Sequence, residues 1–398
     1  MSVAITSDIH LGDPNSRLSD GKDFYPYGFY KDFRAKIFNF TGSQPLDYLV
    51  LCGDILDFSI NSFENSIHIG RHFFQQLYND KIAKQIVYVP GNHDKQIWDG
   101  VEWDSRIIKR LNEYRDPDEF RHIQNGIINL AKGGQIELDG VVKEPGQTYG
   151  NIYLKGLFLN AESSLPINIV YPNLYLLTEN DSILITHGHM FEAAWVILSE
   201  MLYGLPEYLP VKFNLPDLEA WNIPVTASIC TGVGQAKEVS DLIQRIEEEA
   251  YKSKTDALAA VLDHVFPKIL DSSEVGWLGR IAAKAVMPGL KNAILKTAAK
   301  TEDTRFNQDK LQTPETKQRL LTFYNLTLEI MKSLNLPRPS KFIYGHTHLP
   351  TPASNPFKLD ITGDLEFYNT GGWLPRNDNP KNVELFLIDN KRFTSVSI

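Results

Sequence analysis

The sequence predicts a layered α/β fold interrupted by a large helical insertion. Three observations carry this. Short apolar runs rich in Val, Ile, Leu, Tyr and Phe recur along the chain, and each ends in a polar, turn-like segment. Helical patterns separate many of these runs. One long stretch, residues 190–340, is mostly helical in pattern and carries no run of the first kind.

The apolar runs sit in "SVAITSDIH", "DYLVLCGDILD", "QIVYVPGNHD", "DSILITHGHM", "KFIYGHTH", "LEFYNTGGW" and "NVELFLID". At this length and composition they fit buried strands better than helices. Tyr149 to Leu159 and Ile169 to Leu177 read as further strands. Phe29 to Phe40 and Phe63 to Tyr78 read as helices, so strands alternate with helices as layered α/β folds require. Helical periodicity also covers Trp103 to Tyr114 and Asp118 to Leu130. In the long stretch, "SDLIQRIEEEAYKSKTDALAAVLDHVFPKIL" and "TKQRLLTFYNLTLEIMKSL" repeat apolar residues at three- and four-residue spacing. The expected division is a core of residues 1–189 and 341–398 and a helical insertion of residues 190–340. No internal repeat or low-complexity tract is seen.

Composition narrows the class. The chain has 398 residues, 42% hydrophobic and 22% charged, enough for a packed core. A net charge of -9 argues against a protein that coats nucleic acid. Two cysteines, Cys52 and Cys230, make no disulfide framework and no zinc-finger spacing, which suggests a reducing compartment. The start lacks the basic and apolar pattern of a signal peptide, and no apolar run reaches about 18 residues. The expectation is a soluble, cytoplasmic protein.

The strand ends carry the chemistry. Asp8 and His10 follow the first run. Asp54 and Asp57 sit in "CGDILD", and Asn92, His93 and Asp94 in "PGNHD". His187 and His189 sit in "THGH", and His346 and His348 in "YGHTH". Six of the ten histidines fall in these five segments. Ligands of open α/β sheets bind at the carboxyl ends of strands, so these segments can converge although they are distant in sequence. Imidazole and carboxylate without thiolate suit Mn, Fe and Zn. The donors outnumber what one metal needs. Two metals sharing a carboxylate would use them all, in an arrangement suited to phosphoryl displacement.

The ordered set D-x-H, G-D-x-x-D, G-N-H-D, H-G-H and G-H-T-H resembles the calcineurin-like metallophosphoesterase superfamily. The resemblance runs from Asp8 to His348 and implies a four-layer α/β/β/α sandwich and a phosphoric ester hydrolase. It implies that Asp8, His10 and His348 bind one divalent metal, that Asn92, His187 and His346 bind a second, and that Asp54 bridges them. Manganese is the first expectation for both, with Fe, Zn and Ni open. It further implies attack by metal-bound hydroxide on a phosphodiester, pyrophosphate or phosphomonoester. His93 would then act as proton donor, with Asp57 holding its ring. The serine/threonine phosphatases of the superfamily carry an arginine directly after that aspartate. Phe58 and Ser59 stand here, which speaks against that subtype. "CGDILDF" and "GHTH" also resemble the bacterial UDP-diacylglucosamine pyrophosphohydrolase branch. Here the insertion is longer, and G-N-H-D replaces the G-N-R often found there.

Plainer readings stand beside these. Asp57 can cap the following helix. Asp94 is read as a support or cap, and His189 as support or packing. His68 and His72 lie four apart on a helix without a third partner. His122 and His264 read as helix-surface residues. Trp373 and Arg376 are candidates for buttressing the site or meeting substrate phosphate. Trp277 to Lys300, with Arg280, Lys284, Lys291, Lys296 and Lys300, fits a basic amphipathic element meeting anionic lipid. It fits better a packed helix pair broken at Pro288. "AAWVILSEMLYGLPEYLP" can line an apolar substrate groove or pack the insertion. The expected partner is a phosphate ester, nucleotide- or lipid-linked, with peripheral membrane contact open. A nuclease or cyclic-nucleotide phosphodiesterase of the same fold is the alternative enzyme. A non-catalytic scaffold is the alternative outside enzymes.

Overall fold

The computed structural model describes residues 1–143, 156–160, 162–203, 212–227, 313–360, 362–375 and 382–398, with positions 256, 259, 260 and 263. Among the described residues, fourteen strands form two sheets. The first sheet takes β1 (Ser2–Thr6), β2 (Leu46–Leu51), β3 (Ala83–Tyr88), β7 (Ile167–Ile169), β13 (Glu384–Asp389) and β14 (Phe393–Ser397). The second takes β4 (Gly126–Asn129), β5 (Ile136–Leu138), β6 (Val141–Val142), β8 (Asn173–Leu177), β9 (Ser182–Thr186), β10 (Lys341–Tyr344), β11 (Phe357–Lys358) and β12 (Glu366–Asn369). The spatial orders are β14-β13-β1-β2-β3-β7 and β11-β12-β10-β9-β8-β4-β5-β6.

Period-two alternation explains why the sheets stack. Val3 and Ile5 of β1, Tyr48 and Val50 of β2 and Val87 of β3 face Leu174, Leu176, Ile183, Ile185, Ile343 and Tyr368 of the second sheet. The intervening residues, Ala4, Leu49, Leu51, Ile86 and Tyr88, face outward to helices. Those helices are α1 (Phe29–Thr41), with Tyr30, Phe33 and Ile37 buried, and α2 (Phe63–Asn79), with Ile69, Phe73, Phe74 and Leu77 buried. Each is the crossover between parallel neighbours, α1 joining β1 to β2 and α2 joining β2 to β3. Ser62 caps α2, its hydroxyl accepting from Asn65 N–H.

A short helix, α3 (Gln96–Glu102), continues through a π-helical stretch at Trp103–Ile108 into α4 (Lys109–Asn112). Further on lie α5 (Ala193–Tyr203), α6 (Leu215–Ala227) and α7 (Pro314–Ser333). Helix α7 covers the outer face of the second sheet: Phe323 packs on Phe191, and Asn173 Nδ2 lies 3.3 Å from Thr327 Oγ1. The layers are therefore α/β/β/α. Where described between residues 190 and 340, the regular structure is helical. Trp277 to Lys300, Cys230, His264 and Arg376 lie outside the described residues. Among the described residues no helix is long and apolar enough to cross a membrane.

Three sequence expectations need correction. Asp118 to Leu130 is not a helix. Its β-branched Ile127 and Ile128 lie in β4, which pairs with β8 and β5, and His122 sits in the loop before it. Packing between neighbouring strands overrides the local periodicity. Ile169 to Leu177 is two strands in different sheets, because the chain crosses between layers at Val170 to Pro172 and proline cannot donate to a ladder. Of Tyr149 to Leu159, only the last four residues are described, and they form turns and bends. Strands β6, β11 and β14 lie at sheet edges and β5 beside the edge strand β6; all four are short or half-buried, with little apolar signal.

Helix α6 is fastened to the core by a buried ion pair. Lys95 Nζ lies 3.0 Å from Glu219 Oε1 of α6 and 2.5 Å from Asp99 Oδ1. Tyr171 donates to Glu219 Oε2 at 2.8 Å. Lys95 and Glu219 are 2% and 4% exposed, so neither charge has solvent to fall back on. Lys95→Ala should therefore cost about 3–5 kcal/mol by stranding Glu219, read as a lower denaturation midpoint. Lys95→Met combined with Glu219→Leu should recover most of it. A double variant no more stable than the single one would refute the pairing.

Candidate metal centre

The parallel strands aim their carboxyl ends at one place. In the first sheet β1, β2 and β3 run parallel, and in the second β9, β10 and β12 do. The ladder of the first sheet continues past the strand ends as loop-to-loop bonds: Asp8 N–H to Gly53 O at 2.9 Å and His10 N–H to Asp54 O at 2.8 Å. Five polar residues of these loops have left-handed backbone: Asp8 (φ 53°), His10 (53°), Asp54 (52°), His346 (65°) and His348 (53°). Each such residue costs of order 1–3 kcal/mol, which the surrounding bonds must hold. Two close approaches need glycine. A Cβ on Gly91 would collide with Asp54 Oδ1, and one on Gly345 with Asp8 Oδ2.

The expected site residues come together in two half-sites. In the first, His10 Nε2 lies 3.2 Å from His348 Nε2, which lies 3.2 Å from Asp8 Oδ1. In the second, His187 Nε2 lies 3.1 Å from both Asn92 Oδ1 and Asp54 Oδ2. The His346 ring centroid is 5.1 Å from that of His187, and Asp54, His187 and His346 form one cluster of potential ligand atoms. Asp54 Oδ2 is also 3.9 Å from His10 Nε2, so this carboxylate stands between the halves. All of these side chains are buried.

The donor chemistry fits divalent cations. His187 gives its Nδ1–H to Cys52 O at 3.0 Å, which leaves the Nε2 lone pair facing two oxygens. His10 gives its Nδ1–H to Asp57 Oδ2 at 2.8 Å, leaving Nε2 facing His348. Lone pairs turned on one another need a proton or a cation among them. Ligand atoms at right angles around a metal with bonds of about 2.1 Å stand about 3 Å apart, the spacing seen here. Burial works against the charges of Asp8 and Asp54. The imidazoles win, holding Asp8 below, and Asp54 well below, the ordinary carboxylate range.

The same arithmetic acts on His187. Burial lowers its pKa, but Asp54, Asp8 and the Cys52 carbonyl outweigh that and lift it to about 9 when no metal competes.

Asp57 does more than hold His93. Its Oδ2 takes the His10 bond, while Oδ1 lies 3.2 Å from His93 Nδ1 and accepts Ser59 N–H, Ser59 Oγ–H and Ile60 N–H. It both caps the turn and orients two histidines. Burial raises its pKa, but His93 and His10 carry it well below the usual range. Ser59, which the sequence suggested only as a missing arginine, has its Oγ 2.6 Å from His93 Nδ1. Asp94 acts as a support: it accepts from Gly91 N–H, Ile55 N–H and Tyr88 O–H. His189 is buried with Nε2 3.3 Å from the Tyr171 hydroxyl. Trp373 braces the first half-site, donating N–H to Asp8 O at 2.9 Å and Nε1–H to Thr6 Oγ1 at 3.0 Å. His68 and His72 stay on the exposed face of α2, in no described cluster of three metal-type donors. Glu192, unmarked by any motif, brings Oε2 to 3.0 Å from His346 Nε2.

Metal uptake should follow from these charges. Below about pH 9 the metal-free protein keeps a proton on His187, and a ligand must lose it. Titrating Mn²⁺ into stripped protein at pH 7 should release about one proton from this group, and apparent affinity should rise as pH climbs toward 9. Calorimetry in buffers of different ionisation enthalpy reads the proton count. Uptake without proton release would contradict the assigned ligand.

The calcineurin-like phosphoesterase model matches residues 1–212. No curated protein matches the chain. The matched segment ends before His346 and His348, yet the structure returns both to the half-sites built by the matched part. With more than half of its length matched and the two-sheet sandwich in place, the chain belongs to the calcineurin-like phosphoesterase family.

Proposed function

We propose that the protein is a dinuclear-metal phosphoesterase that hydrolyses a phosphodiester, pyrophosphate or phosphomonoester bond. Asp8, His10 and His348 would hold one metal, Asn92, His187 and His346 the other, and Asp54 both. The observation that carries the reading is the set of buried lone pairs that face one another about the Asp54 carboxylate. Two divalent cations, manganese the first candidate, supply Lewis acidity and lower the pKa of water at such a centre.

The remaining work falls to the chain. His93 Nδ1 is committed to Asp57 and Ser59, so proton transfer to a leaving oxygen runs through Nε2. The ionised Asp57 favours the charged ring. His93 N–H donates to Asp54 Oδ1 at 2.9 Å, which fixes the proton donor relative to the bridging carboxylate. Gln96, three residues on, lines a cleft of about 650 Å³ with Phe63, Ile67, His68 and Arg71. Its lining is mixed, with Phe63 and Ile67 beside Arg71 and the acidic Glu64, and its size suits a sizeable leaving group, in keeping with a nucleotide- or lipid-linked ester. The described helices α5 and α6 would wall the site from the second-metal side.

The test is hydrolysis of bis-p-nitrophenyl phosphate beside p-nitrophenyl phosphate, after metal stripping and with manganese restored. Manganese-dependent turnover, faster on the diester, is expected. Metal-loaded protein inert to both, and to a panel of nucleotide and lipid pyrophosphates, would refute the reading. A second expectation concerns His93. His93→Ala should slow esters of poor leaving groups by about 10²–10⁴-fold and nitrophenyl esters far less. Equal losses on both would remove the proton-donor role.

A further inference from the structure

Glu192 lies where the chain leaves the β9 loop and enters α5. Its backbone is fixed at both ends: its N–H donates to His189 O at 3.0 Å, and its carbonyl accepts Trp195 N–H at 3.2 Å. Its side chain is 13% exposed and turns inward. The carboxylate oxygen Oε2 reaches 3.0 Å from His346 Nε2, whose side chain is 1% exposed. The oxygen stands off the line of the ring N–H, and no other described group bonds that nitrogen.

We propose that Glu192 is the positioning residue of the second metal half-site, turning His346 so that Nε2 meets a carboxylate and Nδ1 meets the metal. This rests on the reading of His346 as a ligand of that metal. Three observations support it. His346 is placed by its backbone, its N–H donating to both Asp8 oxygens at 3.0 Å, so its ring orientation must be set separately. Two other histidines of the centre have such a partner: His187 has the Cys52 carbonyl and His10 has Asp57. A ligating imidazole that gives its second N–H to a carboxylate or carbonyl is fixed in tautomer and made more basic. Glu192 completes the pattern for His346. It also lies five residues past His187 at the threshold of α5, so a displacement of α5 would alter the grip on the second metal while leaving the first untouched.

The experiment is a calorimetric titration of Mn²⁺ into the stripped full-length protein, its Glu192→Ala and Glu192→Gln variants, and His346→Ala. The parent should bind two ions. Glu192→Ala should leave one site unchanged and weaken the other by about 10–100-fold. Glu192→Gln keeps an acceptor oxygen without the charge and should fall between. Activity of Glu192→Ala should return at high manganese with the parent's kcat, which a collapsed site would not allow. If both Glu192 variants bind the second ion as tightly as the parent while His346→Ala does not, the inference is overturned. A parent that binds fewer than two ions, or a His346→Ala variant that binds both unchanged, would instead overturn the two-metal reading beneath it.

Discussion

The Asp8 carboxylate is the constraint on which the site depends. It sits on the loop after β1, in the first sheet, and accepts the backbone N–H of His346, which follows β10 in the second. Its own carbonyl accepts Trp373 N–H from the loop after β12. One residue thus links the strand ends of two sheets whose facing surfaces are packed with apolar side chains. Asp54 does the same within the first sheet, accepting His93 N–H from the loop after β3. A buried carboxylate is costly unless it is bonded and countered by charge. Here backbone donors and imidazoles meet part of that cost, and a divalent cation held by these groups would meet the rest.

The strained backbone follows from the same demand. Left-handed turns at Asp8, His10, Asp54, His346 and His348 bring alternate side chains inward just where the strands stop. A regular continuation of each strand would carry the loops past one another. The bonds that hold the turns are the ladder extensions and the carboxylate contacts already described, so strain and ligand geometry stand or fall together. Glycine at 91 and 345 lets these loops approach the carboxylates of their neighbours.

The second half-site has a different support from the first. Asp8 and His10 are braced within the core, by Trp373 and Asp57. His187 and His346 lie beside the segment that begins the helical stretch, with Glu192, α5 and α6 close behind. The pair of Lys95 and Glu219, with Tyr171 and His189, forms a buried polar path from α6 toward that half-site. The bonded path ends at His189, whose ring centroid stands 5.6 Å from that of His187.

The sequence by itself determined much of this protein. Apolar runs ending in His, Asp and Asn located the strands that matter, and the five motifs named the residues that meet. Local patterning suffices there because a buried strand and the donor at its end are both written in consecutive residues. It failed where neighbours decide the outcome. Ile127 and Ile128 became a strand because β8 and β5 offered partners, and Ile169 to Leu177 broke because two sheets compete for it. Only the tertiary structure decided which groups stand behind the expected ligands. Asp57 serves His10 as well as His93, Ser59 meets His93, and Glu192 meets His346. No spacing rule encodes such contacts, since each pairs residues from separate loops and depends on the angle at which those loops cross.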